Sequence, residues 1–190
     1  NILDFDNLTE ENIYVLDSPI LTNSQFKKFK KFFSKKIKVI DCTFDIQNSL
    51  KDRIEAIREE VETAVREGST CIVLSDKDFS SQKASIPSIL TVGAVHSHLV
   101  KHGLRGYCSL NVECSDAMDT HSFAILIGVG ATTVNPYLAI DSIYQRFEKK
   151  LFGKSDFETC VSKFKKSIDA GLLKIMSKMG ISVISSYRGG

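Results

Sequence analysis

The sequence predicts an α/β fold in which parallel strands and helices alternate, as an open sheet or a reduced or partial (β/α) barrel-like domain. Three observations carry this. From Lys36 onward, β-branched apolar runs and amphipathic stretches follow one another as β-α-β-α-β-α-β-α-α-α-β. Strands separated by helices run parallel, with right-handed crossovers. Thr70-Cys71-Ile72-Val73-Leu74 is almost continuously apolar, the pattern of a strand buried on both faces. Residues 86–139 form a helix–strand–helix–strand cassette with little polar character, so the core is expected there. By itself the cassette names no reaction.

Taken in order, residues 1–20 read as loop, with one short apolar run from Ile13 to Leu16. Ser18-Pro19 disfavours helix just before Ile20. Thr22 or Asn23 then caps a helix reaching about Phe33, with Phe26, Phe29 and Phe33 on one stripe. Lysines 27, 28, 30, 31, 35 and 36 crowd its other faces; a solvated helix surface explains them better than a phosphate or acidic-partner site. Residues 36–42 form a strand, rich in Ile and Val. Residues 50–67 form an amphipathic helix with Ile54, Ile57, Val61, Ala64 and Val65 inward and Gly68 as its terminator. After the strand at 70–74, Ser85 caps the next helix and Pro87 sits near its first turn. That helix runs to about His102 and ends at Gly103. A strand at 107–113 and a helix at 116–127 follow, then a short strand at 132–134. Pro136 opens a helix at 137–149, residues 151–154 break it, and helices at 156–170 and 172–178 lead to a last strand at 181–184.

The chain of 190 residues suffices for one domain, 1–190, with a real core. Hydrophobic residues make up 43% and charged residues 25%, and the net charge of +2 points to neither nucleic acid nor membrane. No apolar run is long enough to span a bilayer, and no signal peptide is seen at the start. The five cysteines are odd in number, widely spaced and without a CxxC pair. They read as reduced thiols of a cytoplasmic protein, with Cys42, Cys71 and Cys108 as small core residues. The start at Asn1 without Met, and the end at Ser-Tyr-Arg-Gly-Gly right after a strand-like run, suggest a piece of a longer chain.

In parallel α/β folds chemistry sits at the C-terminal ends of the strands. Here that edge presents Asp41, Ser75, Asp76, Glu113 and Asn135. Converging carboxylates there can act as acid and base or hold Mg²⁺; loop and helix-start capping is the favoured reading. His98 and His102, four apart on one helix, can share a metal, but no third ligand stands at a telling spacing. His96 aligns with Ile89, Val92 and Leu99 and reads as a core or interface histidine with a backbone partner. Gly128-Val129-Gly130 reads as a helix end rather than a phosphate cradle, and Cys114 near His121 as a coincidence of spacing. No P-loop, GxGxxG, GxSxG or HExxH occurs. Met176 to Ser182 mixes soft apolar and basic groups around Gly180, a capped helix end or a docking surface.

Leu172-Leu173-Lys174-Ile175-Met176-Ser177-Lys178-Met179-Gly180-Ile181-Ser182, with Ser186-Tyr187-Arg188-Gly189, resembles the large (alpha) subunit of glutamate synthase. So do Ser18-Pro19-Ile20-Leu21-Thr22, Val73-Leu74-Ser75-Asp76, Ile86-Pro87-Ser88 and Asn135-Pro136-Tyr137-Leu138-Ala139, in the same order. The resemblance covers nearly the whole chain and implies the central domain of that longer polypeptide. It implies an amidotransferase domain before it, and after it an FMN-binding (β/α)8 domain with an iron–sulfur cluster and a β-helix. In that family glutamine is hydrolysed, ammonia passes through a tunnel, and 2-oxoglutarate is aminated and reduced. The central domain links the active sites and helps wall the tunnel.

The amidotransferase cysteine, the cysteine cluster and the glycine-rich FMN segment are not in these residues, so no catalytic, cofactor or metal residue carries over. The expectation is therefore a domain inactive alone. Its partners are the amidotransferase and FMN domains of the same chain, with a small NADPH-oxidising subunit or ferredoxin for the parent, and neither nucleic acid nor membrane. Ser177, Lys178, Met179, Gly180, Tyr187 and Arg188 are expected at an inter-domain surface. The alternative is a freestanding α/β enzyme binding a phosphate ligand through Asp76, Glu113 and Asn135.

Overall fold

The computed structural model describes residues 14–190. Four parallel strands make its sheet: β1 (Ile37–Asp41), β3 (Cys71–Ser75), β5 (Ser109–Glu113) and β6 (Thr133–Asn135), adjacent in that order. Pro19–Leu21 extends the sheet beyond β6. Leu21 N–H donates to Val134 O at 2.9 Å and Val134 N–H to Pro19 O at 2.8 Å. Spatial order follows chain order across all four strands, and the segment preceding β1 pairs at the far edge. A doubly wound sheet reverses its order at a switch point; this one advances in a single direction, as a barrel wall does.

Helices α2 (Leu50–Arg66), α3 (Ser88–Lys101), α4 (Thr120–Gly128), α5 (Tyr137–Glu148) and α6 (Phe157–Lys178) follow the strands. Strand side chains alternate between two faces. Ile72, Leu74, Leu110, Val112 and Val134 share the large core with residues of α2, α3, α4 and α6. On the other face Cys71 and Val73 meet Leu21 and Phe26 and Phe29 of α1 (Asn23–Phe32). Thus α1 packs on the face that a complete barrel turns inward. Its start is fixed by a capping box, with Thr22 and Gln25 each accepting from the other's backbone N–H.

Several expectations are corrected. Ser85 does not cap α3. It ends β4 (Lys83–Ser85), which pairs antiparallel with β2 (Thr43–Asp45) in a small ribbon absent from the sequence reading. The carboxylate of Asp116 caps α3 instead, accepting from Ser88 N–H at 2.9 Å and Ser88 Oγ–H at 2.7 Å. The expected strand at 107–113 begins with a 3-10 turn, Arg105–Tyr107. Helix α4 starts at Thr120 rather than 116, because Asp119 accepts from Ser122 N–H. The two expected helices after residue 155 are one, α6, running through Gly171. Residues 181–184 form no strand; Ile184–Tyr187 is a 3-10 turn packed over the core. The edge of β6 is already taken by Pro19–Leu21, so this run finds no partner there.

Candidate functional site

The strand register brings Asp41, Ser75, Glu113 and Asn135 side by side at the C-terminal edge. Glu113 is 3% exposed and lies on the α1 face. Its Oε1 is 3.2 Å from Lys30 Nζ and 2.9 Å from Lys77 Nζ, and its Oε2 accepts from Ser75 Oγ–H at 2.9 Å. Burial raises the Glu113 pKa, but the Lys77 hydrogen bond and the charges of Lys30 and Lys77 outweigh it, so the carboxyl titrates below its ordinary range. Asn135 donates to Leu21 O at 2.9 Å and to Asn23 Oδ1 at 3.0 Å, tying β6 to the start of α1. Asp41 accepts from Thr43 N–H and Oγ–H at 2.9 and 2.7 Å.

Asp76, one residue past β3, has separate partners. Its Oδ2 accepts from Ser85 Oγ–H at 2.8 Å, Ser115 N–H at 3.0 Å and Ser115 Oγ–H at 2.6 Å. The Tyr137 hydroxyl lies beside it. Burial and then the Asp76 carboxylate hold that phenol above its usual range. Lys77 lies 5.0 Å over the Tyr137 ring, joining this group to the Glu113 cluster. Among the described residues no side-chain hydrogen bond links Asp76, Glu113 and Asn135 to one another; the backbone N–H of Asp76 donates to Glu113 O at 3.2 Å. Sequence reasoning placed them at one edge correctly, but each is held by neighbours from its own side. Lys30 and Lys77 were missed as partners of Glu113, since nothing local singles them out among many lysines.

At the opposite end, Arg105 Nε–H donates to His96 Nδ1 at 3.0 Å, so the partner of His96 is a side chain and not the expected backbone group. Arg105 also donates to Cys108 O at 2.7 Å and Gly130 O at 2.9 Å. Burial, then the Arg105 and Arg188 charges, hold His96 below its usual pKa. Cys114 is buried and His121 exposed. Burial pushes the Cys42 and Cys71 thiols up to about 12 and about 11, which suits core residues and not nucleophiles. His98 and His102 do find a third group: Glu62, from α2.

Of the residues expected at an inter-domain surface, Ser177, Lys178, Met179 and Gly180 are exposed at the end of α6. Leu173 (64% exposed), Met179 (46%) and Val183 (57%) give that end an apolar character. Tyr187 and Arg188 are half-buried; Tyr187 packs against the core, and Gly189 N–H donates to Gly128 O at 2.9 Å. No helix among the described residues is long and apolar enough to cross a membrane.

All 190 residues match the family model described as the glutamate synthase central domain. The chain belongs to the glutamate synthase central domain family. It is 49% identical over its full length to the large chain of the NADPH glutamate synthase of Azospirillum brasilense, of which it covers 13%. Identity is 41% to the corresponding chain of Bacillus subtilis, with 92% of this chain and 11% of that one covered. It is 38% to the ferredoxin-dependent glutamate synthase of Pyropia yezoensis, with 100% and 13% covered. The central domain thus spans about an eighth of the length of these relatives.

Two solved barrel proteins share the fold of the central domain. One is a flavocytochrome b2 double mutant with pyruvate bound, at TM-score 0.52 and 19% identity, covering 89% of this chain and 37% of that one. The other is DHODH of Eimeria tenella with ferulenol, at TM-score 0.52 and 14% identity, covering 80% and 37%. At these identities the likeness speaks for the fold alone. Coverage of little over a third of each fits a partial barrel.

Proposed function

We propose that this central domain is a non-catalytic connector in a glutamate synthase. On this reading it holds the amidotransferase and FMN-binding synthase domains of one chain in register and helps wall the path of ammonia between them. One observation carries the proposal: the edge where barrel enzymes place their chemistry is filled from within. Helix α1 packs on the inward face, Lys30 and Lys77 neutralise Glu113, and Asn135 is tied to Leu21 and Asn23. Of the groups that would serve a freestanding phosphate-binding enzyme, the side chains of Glu113 and Asn135 and Oδ2 of Asp76 already have internal partners, while Oδ1 of Asp76 is buried without one. A channel wall requires side chains in fixed positions, which such pairing supplies, and it keeps a small neutral amine from being lost to bulk water.

The exposed end of α6, with Leu173, Lys178, Met179 and Val183, is the face proposed to meet a neighbouring domain. The glutamine hydrolysed per glutamate formed by the full-length enzyme tests it. Lys178→Glu combined with Leu173→Asp should raise this ratio above that of the wild type, with ammonia appearing in solution. An unchanged ratio removes the surface from the proposal. Tight FMN binding by the isolated domain would favour the freestanding-enzyme reading instead.

A further inference from the structure

Helices α2 and α3 pack side by side, and their C-terminal halves bring three metal-binding groups together. His98 and His102 lie one turn apart at the end of α3, with ring centroids 4.2 Å apart. Glu62 faces them from α2: its Oε2 is 2.6 Å from His98 Nε2 and 3.9 Å from His102 Nδ1. One ligand atom from each residue falls within 4.8 Å of the other two. We propose that Glu62, His98 and His102 form a divalent transition-metal site, with Zn²⁺ as its best-matched occupant.

The donor set argues for this cation class. Two imidazoles and one carboxylate suit Zn²⁺, which takes nitrogen at 2.0–2.1 Å and oxygen at about 2.0–2.2 Å in a tetrahedron. Ligand atoms then stand about 3.3 Å apart. The Glu62–His98 pair opens slightly and the Glu62–His102 pair closes slightly to reach that spacing, changes within side-chain rotation. Mg²⁺ and Ca²⁺ prefer all-oxygen sites and fit poorly.

The surroundings orient the carboxylate. Arg66 Nη2 is 2.7 Å from Glu62 Oε1, which leaves Oε2 turned toward the histidines. Fixing a ligand through its second oxygen is a common feature of metal sites. His102 Nδ1 also lies 2.8 Å from His98 O, a contact it gives up or keeps according to which ring nitrogen binds. The side chain of His98 is 12% exposed and that of His102 35%, so the cluster is reachable from solvent without being loose. Three protein ligands leave the fourth position to water. The site joins two helices that are adjacent in the outer layer, so the ion would act as a clip between α2 and α3, away from the strand-end cluster.

The test uses the full-length enzyme after removal of adventitious metal by a chelator and gel filtration. Zn²⁺ is titrated against a chromophoric chelator, comparing wild type with His98→Ala/His102→Ala, Glu62→Gln and His102→Gln. The wild type should bind one more equivalent of Zn²⁺ per chain than the double variant, and the single variants should hold that equivalent at least about tenfold more weakly. His102→Gln changes a partly exposed side chain at the helix end, so it serves if the double variant fails to fold. Anomalous diffraction at the zinc edge should place a peak among the three residues. Equal stoichiometry and affinity in all variants, or a zinc peak only elsewhere, would overturn the proposal and leave these residues as a hydrogen-bonded clip.

Discussion

Lys30 and Glu113 are 83 residues apart in sequence and 3.2 Å apart in space, and the pair fastens α1 onto the inward face of the sheet. Glu113 is buried, whereas Lys30 keeps a third of its side chain in solvent, so removing the carboxylate charge matters more than removing either lysine alone. Glu113→Gln should lower stability by about 2 kcal/mol at pH 7, read from urea unfolding. Lys30→Met, with Lys77 left in place, should lower it by less.

The same carboxylate sets a pH dependence. Its folded pKa lies below the ordinary 4.5, so the unfolded state binds the proton more readily. Its contribution is present above pH 4.5 and disappears as pH falls through the lower folded value. The stability difference between wild type and Glu113→Gln should therefore shrink steadily below pH 4.5; a constant difference down to pH 2 would contradict the assignment.

Gly171 allows α4 and α6 to approach. A Cβ there would meet Thr120 Cγ2 at 2.5 Å and Thr120 Oγ1 at 2.7 Å. Gly to Ala inside a helix normally stabilises by about 1 kcal/mol. Here Gly171→Ala should destabilise by about 1–3 kcal/mol through overpacking. Thr120→Ala should recover much of that loss, a non-additivity that a double-mutant cycle measures.

Gly130 has φ +126, and a Cβ on it would lie 2.5 Å from the His96 ring. Gly130→Ala therefore combines backbone strain with a clash and should cost about 3 kcal/mol or more. His96→Ala in the same chain removes the ring but keeps a Cβ 2.8 Å away and leaves the backbone strain, so thermal denaturation of the pair should show partial rescue.

All five cysteines are free and buried. With the Cys42 thiol pushed up to about 12, its thiolate fraction at pH 8 is on the order of 10⁻⁴. A disulfide reagent should label none of the five within minutes under native conditions and all of them in guanidinium. Rapid native labelling of any one would mean that its strand or helix opens locally.

The sequence by itself determined the four strands of the parallel sheet and most of the helices, because hydrophobic period and caps are local properties. The five buried residues Cys71 to Ser75, the Thr22 capping box and the helical face of Ile57, Val61 and Ala64 all follow from neighbours a few positions away. The order of quoted motifs, from Ser18-Pro19 to Tyr187-Arg188, was enough to suggest the family.

What the chain does over long distances was decided only by tertiary structure. Asp116 displaced Ser85 as the cap of α3, since a carboxylate 28 residues downstream reaches the helix start first. Pro19–Leu21 took the sheet edge that residues 181–184 needed for a strand. Gly171 looked like a helix end, but Thr120 of a neighbouring helix makes it a packing residue. Glu113 acquired two lysines, and His98 and His102 acquired Glu62, because folding places α1 on the sheet and α2 against α3. Side-chain partners chosen across 36 to 83 residues leave no period or spacing in the sequence, since what selects them is the geometry of packed layers.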